Sequence, residues 1–133
     1  MIKLAVDLIV NYNGGIVLIE RKNPPYGWAL PGGKHEEGET MEQTATRELM
    51  EETNLEAISL KQFHVYSDPK RDPRWHGISV AFTCTGYGEL KPQSDAKKIT
   101  TIKMEELDSW KDKLAFDHYI ILKDYFSIET NKN

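Results

Sequence analysis

Residues 32–55 read GGKHEEGETMEQTATRELMEETNL, and the fold follows from where this stretch bends, coils and stops. The Gly32-Gly33 pair opens it, so the backbone can turn tightly and come close to a ligand. Thr40, followed three residues later by Gln43, is a capping-box start for a helix. The spacing predicts a helix over residues 41–53. Asn54 stands at its exit, and asparagine is one of the few non-glycine residues that tolerates the left-handed exit conformation. At about 100° per residue, Met41, Ala45 and Leu49 form the apolar stripe. Glu52 falls inside that stripe and Glu48 beside it, with Glu51 one turn from Glu48 toward the same edge.

Glutamates in a row on a helix usually make a solvated face. A solvated face would point away from Met41, Ala45 and Leu49, whereas these carboxylates point along the side that packs. Half-buried like charges repel one another and lose hydration, so three of them within two turns need a counter-ion. Arg47 neighbours Glu51 around the helix and can reach Glu39, so it neutralises one. The remaining charge suits a hard divalent cation. Carboxylates without a His or Cys partner point to Mg²⁺ or Mn²⁺ rather than Zn²⁺. Mg²⁺ held this way usually completes its shell with water and substrate phosphates, which implies a metal-dependent site acting on a phosphorylated substrate.

The spacing of Gly33, Glu39, Arg47, Glu48, Leu49, Glu51, Glu52 and Leu55 resembles the Nudix box. One position departs, with Asn54 where the box has glycine, and the helix-exit argument makes that exchange mild. The resemblance implies an α/β/α sandwich with a mixed β-sheet. It also implies hydrolysis of a nucleoside diphosphate linked to another moiety, with Glu48, Glu51 and Glu52 and the carbonyl of Gly32 as metal ligands. Arg47 would orient the glutamates.

The rest of the chain is consistent with one domain over residues 1–133, long enough for a proper core. Hydrophobic residues make up 39% and charged residues 29%, a globular balance. A net charge of −4 argues against a general nucleic-acid binder. Cys84 is alone and cannot form an internal disulfide, so a cytoplasmic setting is expected. Asp7 interrupts the N-terminal apolar run, which excludes a signal peptide or membrane span there.

Strands are expected over residues 3–10 and 16–20 around an Asn13-Gly14-Gly15 turn. A loop should follow over 21–27, then a short extended piece over 28–31. Further strands are expected at 57–66, 77–85 and 99–104, and a last helix at 116–128. Strands and helices in this mixture suggest a mixed sheet covered on two sides.

Segments outside the box resemble a subgroup of ADP-ribose pyrophosphatases and the effector domain of NAD-metabolism regulators. They are Glu20-Arg21-Lys22, Pro24-Pro25, residues 27–33, 68–74, 78–82 and 114–118. Trp28 is either core or an aromatic platform for adenine. Arg21 is either a surface charge or a phosphate contact. Lys70, Arg71, Arg74 and His76 make either a solvated loop or local positive charge for a polyanion beside the metal, with Arg74 and Gly33 counted as substrate contacts. Asp72-Pro73-Arg74 can equally be a turn that positions the next strand, and Asp117 reads as a helix cap. Related pyrophosphatases carry an acid after an Asp-Ala-Ala run, where this chain has Asp95-Ala96-Lys97-Lys98. Glu48, Glu89, Asp95, Glu105 and Glu106 are therefore all open as the general base.

The favoured reaction is Mg²⁺-dependent cleavage of ADP-ribose to AMP and ribose 5-phosphate. A MutT-like nucleoside triphosphate pyrophosphohydrolase and a non-catalytic ADP-ribose sensor are the rivals. The intact box weighs against the sensor, and no DNA-binding domain is expected after Asn133. The expected partner is a small nucleotide, with no nucleic acid and no membrane, and a homodimer is left open.

Overall fold

The computed structural model describes residues 1–93 and 96–130. Strands β1 (Lys3–Tyr12), β2 (Gly15–Arg21), β3 (Trp28–Ala29) and β4 (Gly32–Lys34) precede helix α1 (Met41–Thr53). Strands β5 (Glu56–Tyr66), β6 (Gly77–Tyr87) and β7 (Ala96–Ile102) follow, then a 3-10 helix (Met104–Trp110) and helix α2 (His118–Thr130). The sheet runs β3-β2-β1-β6-β5, with β4 added to β1 and β7 to β2. It is mixed, because β1 lies parallel to β6 while β1–β2 and β5–β6 are antiparallel.

Strand alternation divides the core into two layers. Val6, Leu8 and Val10 of β1 pack with Ala45, Leu49 and Leu55 on the α1 side. Ile9, with Ile16 and Leu18 of β2, packs against Ile121, Leu122 and Tyr125 of α2. Successive side chains of a strand point to opposite faces, so one strand serves both layers. The α/β/α sandwich expected from the resemblance is the architecture found. No helix among the described residues is long and apolar enough to cross a membrane.

The ends of α1 follow the local chemistry. Thr40 accepts from the Gln43 N–H at 3.1 Å, and the Gln43 side chain accepts from the Thr40 N–H at 2.8 Å. Asn54 leaves the helix at φ 67°, and its side-chain amide donates to the carbonyl of Glu89.

Several boundaries differ from the sequence reading. The Gly32-Gly33 pair forms no turn: it sits in β4, antiparallel to Val6 and Asp7 of β1. Glycine is needed there for space, since a Cβ on Gly32 would lie 2.1 Å from the Val6 carbonyl oxygen. The last strand begins at Ala96 rather than residue 99, and α2 begins at His118 rather than residue 116. The 3-10 helix was not anticipated, because an element of only seven residues carries little periodic signal.

Candidate functional site

Helix α1 packs against strand β4, and their meeting gathers the acidic side chains. Glu52 is buried, with 6% of its surface exposed. Its Oε1 accepts from the Gly32 N–H at 2.7 Å. Burial drives its carboxyl well above the usual range; the Gly32 bond opposes that, and the nearby charges of Glu48 and Asp7 add to it. The Glu48 side chain is 14% exposed. Desolvation raises it too, against the pull of Arg47. A Cβ on Gly33 would lie 2.4 Å from the Glu48 carboxylate, so glycine there leaves room for that group.

Glu51 departs from expectation. Its side chain is 47% exposed, so it stands at the rim rather than on the packing side. It lies one position before Glu52, about a quarter-turn around the helix, which is enough to carry it out of the stripe.

Arg47 anchors the group. It donates to Glu39 at 2.7 Å and 2.9 Å, to Glu48 at 2.8 Å and to Glu51 at 3.3 Å. It also donates to the Lys34 carbonyl. The hydrogen bonds from Arg47, with one from Thr44, hold the Glu39 carboxyl at about 2.

Glu48, Glu51 and Glu52 line one wide recess, of about 620 Å³, together with Gly32, Gly33, Lys34, Arg21 and Arg74. Among the described residues, no three acidic, His or Cys side chains already converge on one point. The oxygens of Glu48 and Glu52 instead face Arg47 and the Gly32 N–H. The donor set nonetheless fits a hard divalent cation: it is all oxygen, and burial holds two of its carboxyls above the usual range.

A second, narrower recess of about 80 Å³ adjoins the first and shares Arg21, Gly32, Gly33, Lys34, Glu52 and Arg74 with it. Trp75 and Phe116 line it. Its floor is an ion network around Asp7. Arg71 donates to Asp7 at 3.2 Å and doubly to Asp117 at 2.9 Å and 2.8 Å. Ser79 donates to Asp7 at 2.6 Å. The Leu30 N–H donates to Nδ1 of His118, which leaves Nε2 as the proton-bearing nitrogen facing Asp7 at 3.2 Å. Burial alone would raise Asp7, yet His118, Arg71 and Ser79 outweigh it and hold the carboxyl at about 2.

The expected site residues thus separate into groups. Arg21, Gly32, Gly33, Arg74 and the three glutamates come together. Trp28 does not join them: it packs edge-on against Trp110 at 5.3 Å, beside the α2-side core, and lines neither recess. Asp117 does stand at the start of α2, its carbonyl accepting from the Ile121 N–H at 3.1 Å, and its carboxylate pairs with Arg71. Asp72 does form the expected turn, accepting from the Arg74 N–H at 2.9 Å. Glu89, Glu105 and Glu106 line neither recess, and Glu106 instead accepts from the Lys103 N–H. Asp95 lies outside the described residues, as does the Lys97 side chain. Sequence reasoning missed Trp75 and Asp7. The available signals were an aromatic residue set between Arg74 and His76, and an acid inside an apolar strand.

The NUDIX domain profile matches residues 1–125. An ADP-ribose pyrophosphatase of Methanocaldococcus jannaschii is 46% identical over 125 residues, covering 92% of this chain and 72% of that protein. A bifunctional NMN adenylyltransferase/ADP-ribose pyrophosphatase of Francisella tularensis, solved with AMP and a manganese ion, matches with a TM-score of 0.84 at 29% identity. That match covers 96% of this chain and 42% of the longer one, so the chain spans less than half of that protein. The NUDIX domain of Shewanella oneidensis NrtR, crystallised with ADP-ribose, matches with a TM-score of 0.85 at 25% identity, over 96% of this chain and 88% of that one.

Proposed function

The chain belongs to the NUDIX domain family, and we propose that within it the chain hydrolyses ADP-ribose to AMP and ribose 5-phosphate with Mg²⁺. Pyrophosphohydrolase chemistry follows from the family and from the similarity to the Methanocaldococcus enzyme. The observation that carries the substrate class is the shared lining of the wide recess, where three glutamates face two arginines. A diphosphate needs both: cations to meet its oxygens, and carboxylates to hold a divalent ion against it.

In this reading Glu48, Glu51, Glu52 and the carbonyl of Gly32 hold the ion, with Mn²⁺ able to replace Mg²⁺. When bound, it supplies Lewis acidity toward the diphosphate and the attacking water. Arg21 and Arg74 bind the phosphates. Arg21 is braced by its bond to the Pro25 carbonyl at 2.7 Å, and Arg74 by Asp72 at 2.9 Å. Arg47 acts through the carboxylates, fixing Glu48 against Glu39. Of the described candidates for the general base, Glu48 is the one that lines the recess. A cytoplasmic setting fits the buried Cys84, whose thiol is pushed up to about 12 by desolvation and is inert.

The test is a panel of ADP-ribose, dinucleotides and dNTPs with Mg²⁺, compared by kcat/KM. ADP-ribose should lead. A dNTP in first place would move the chain to the nucleotide-pool enzymes. Tight ADP-ribose binding without turnover would make it a sensor, a reading favoured by its 32% identity to the Acinetobacter baylyi repressor NtrR.

A further inference from the structure

The two recesses differ in shape and in chemistry, yet they share a wall. The wide one carries the carboxylates. The narrow one is walled by Trp75 and Phe116. Arg74 stands at the junction, with its guanidinium carbon 4.2 Å from the centre of the Trp75 ring and 5.3 Å from that of Phe116. Arg21 lies 4.9 Å from the Phe116 ring, and the Lys34 ammonium 4.4 Å from the Trp75 ring. A ligand longer than either recess would run from aromatic walls, past cations, to the carboxylates.

We propose that Trp75 and Phe116 hold the nucleobase of the substrate by stacking, while its diphosphate passes Arg74 and Arg21 into the carboxylate recess. This rests on the reading above that the substrate is a nucleoside diphosphate derivative. Three observations favour a base over a sugar in the narrow recess.

The first is the walls. Both are aromatic, and a purine presents a planar π-face to them. The second is the polar inventory. Sugar hydroxyls are held by acceptors, but two of the acids lining this recess are engaged, Asp7 by Arg71, Ser79 and His118, and Asp72 by Arg74; the third, Glu52, belongs to the wall shared with the carboxylate recess and accepts from the Gly32 N–H. The side chains nearest the aromatic rings, Arg21, Lys34 and Arg74, are cationic and donate only, which suits the acceptor nitrogens of a purine edge. The third is the backbone of Phe116. It has φ 55°, a left-handed conformation that bulky residues avoid. Strain of this kind persists where the surroundings fix it, and it gathers at ligand clamps. Here the ring also lies 5.1 Å from His118, itself fixed by Leu30 and Asp7.

The two walls come from distant parts of the chain, and one buried contact locks them. Arg71, with its side chain 5% exposed, reaches from the loop of Trp75 to Asp117, next to Phe116. Arg71 is therefore a positioning residue for the slot.

The test uses AMP, the expected product, and needs no metal. Tryptophan occurs three times, at 28, 75 and 110, so the W28F/W110F protein reports on Trp75 alone. AMP should quench its emission, and ribose 5-phosphate at equal concentration should not. W75L and F116L should each weaken AMP binding by roughly tenfold or more, and raise KM for ADP-ribose far more than they lower kcat. Trp75 lies in a surface loop, so W75L should fold; if it does not, the single-tryptophan titration still decides. Emission indifferent to AMP, or equal AMP affinity in wild type and W75L, overturns the proposal. Quenching by AMP without ADP-ribose hydrolysis keeps the slot and removes the reaction assigned above. Normal hydrolysis by W75L at unchanged KM does the reverse.

Discussion

The Gly32 N–H donates to the Glu52 carboxylate across 2.7 Å, tying β4 to the last turn of the acidic helix. That bond holds in place an acid whose burial pushes its carboxyl well above the ordinary value. A group with a raised folded value contributes stability below its unfolded value and loses it as pH rises through the folded one. Above the ordinary carboxyl value, burying Glu52 therefore costs the metal-free protein stability. E52Q keeps an acceptor for Gly32 and removes the charge. Its turnover should fall roughly 10³-fold or more, while its melting temperature in EDTA rises by about 3–5 °C. Initial rates and a thermal melt in chelator check both; a lower melting point than wild type would count against the reading.

The neighbouring glycines should respond differently to the same change. A Cβ on Gly32 would lie 2.1 Å from the Val6 carbonyl oxygen, which is rigid strand backbone. G32A should lose roughly 3 kcal/mol of stability or more. The nearest atoms to a Cβ on Gly33 would be the end of the Glu48 side chain, at 2.4 Å, and that can swing aside. G33A should stay folded and lose turnover. Urea unfolding and kcat measured on both variants separate the effects, and equal destabilisation of the two would contradict the packing argument.

At acid pH the weak point is Asp7. Its folded value of about 2 lies below the ordinary 3.8. Its contribution is complete above about pH 4 and is lost as pH falls toward 2. Removing it should cost about 2 kcal/mol at neutral pH. D7N should therefore unfold more easily at pH 7 and show a flatter acid limb than wild type. Parallel limbs from pH 5 to pH 2 would remove Asp7 from the account.

Asn54 tests the one departure from the box. Its left-handed φ of 67° and its bond to the Glu89 carbonyl act together. N54G relieves the first and loses the second, so its stability should stay within about 0.5 kcal/mol of wild type. N54A keeps the strain and loses the bond, and should be less stable by roughly 1–2 kcal/mol. Chemical denaturation that finds alanine and glycine equivalent would argue against the left-handed exit.

Local spacing explains what was legible beforehand. The Thr40 cap, the Asn54 exit and the burial of Glu52 depend on neighbours within a few turns of one helix, so a single stretch reveals them. The role of the glycine pair was not legible, because its constraint comes from the carbonyl of Val6 on another strand. Glu51 was misplaced because the stripe has an edge, and one residue's rotation crosses it. The pairing of Asp117 was not legible because its partner, Arg71, lies 46 positions away. The same distance hid the aromatic recess. Trp28 drew the reading by its nearness to the box, whereas Trp75 and Phe116 face one cavity only once two loops have been brought together.

The central claim is that a divalent ion explains acids placed against a packing face. Crystals soaked in Mn²⁺ and measured at the manganese absorption edge test it directly. The account predicts an anomalous peak among Glu48, Glu51, Glu52 and the Gly32 carbonyl, lost in E52Q. A map with no peak there, and those carboxylates still turned to Arg47 and the Gly32 N–H, would contradict it.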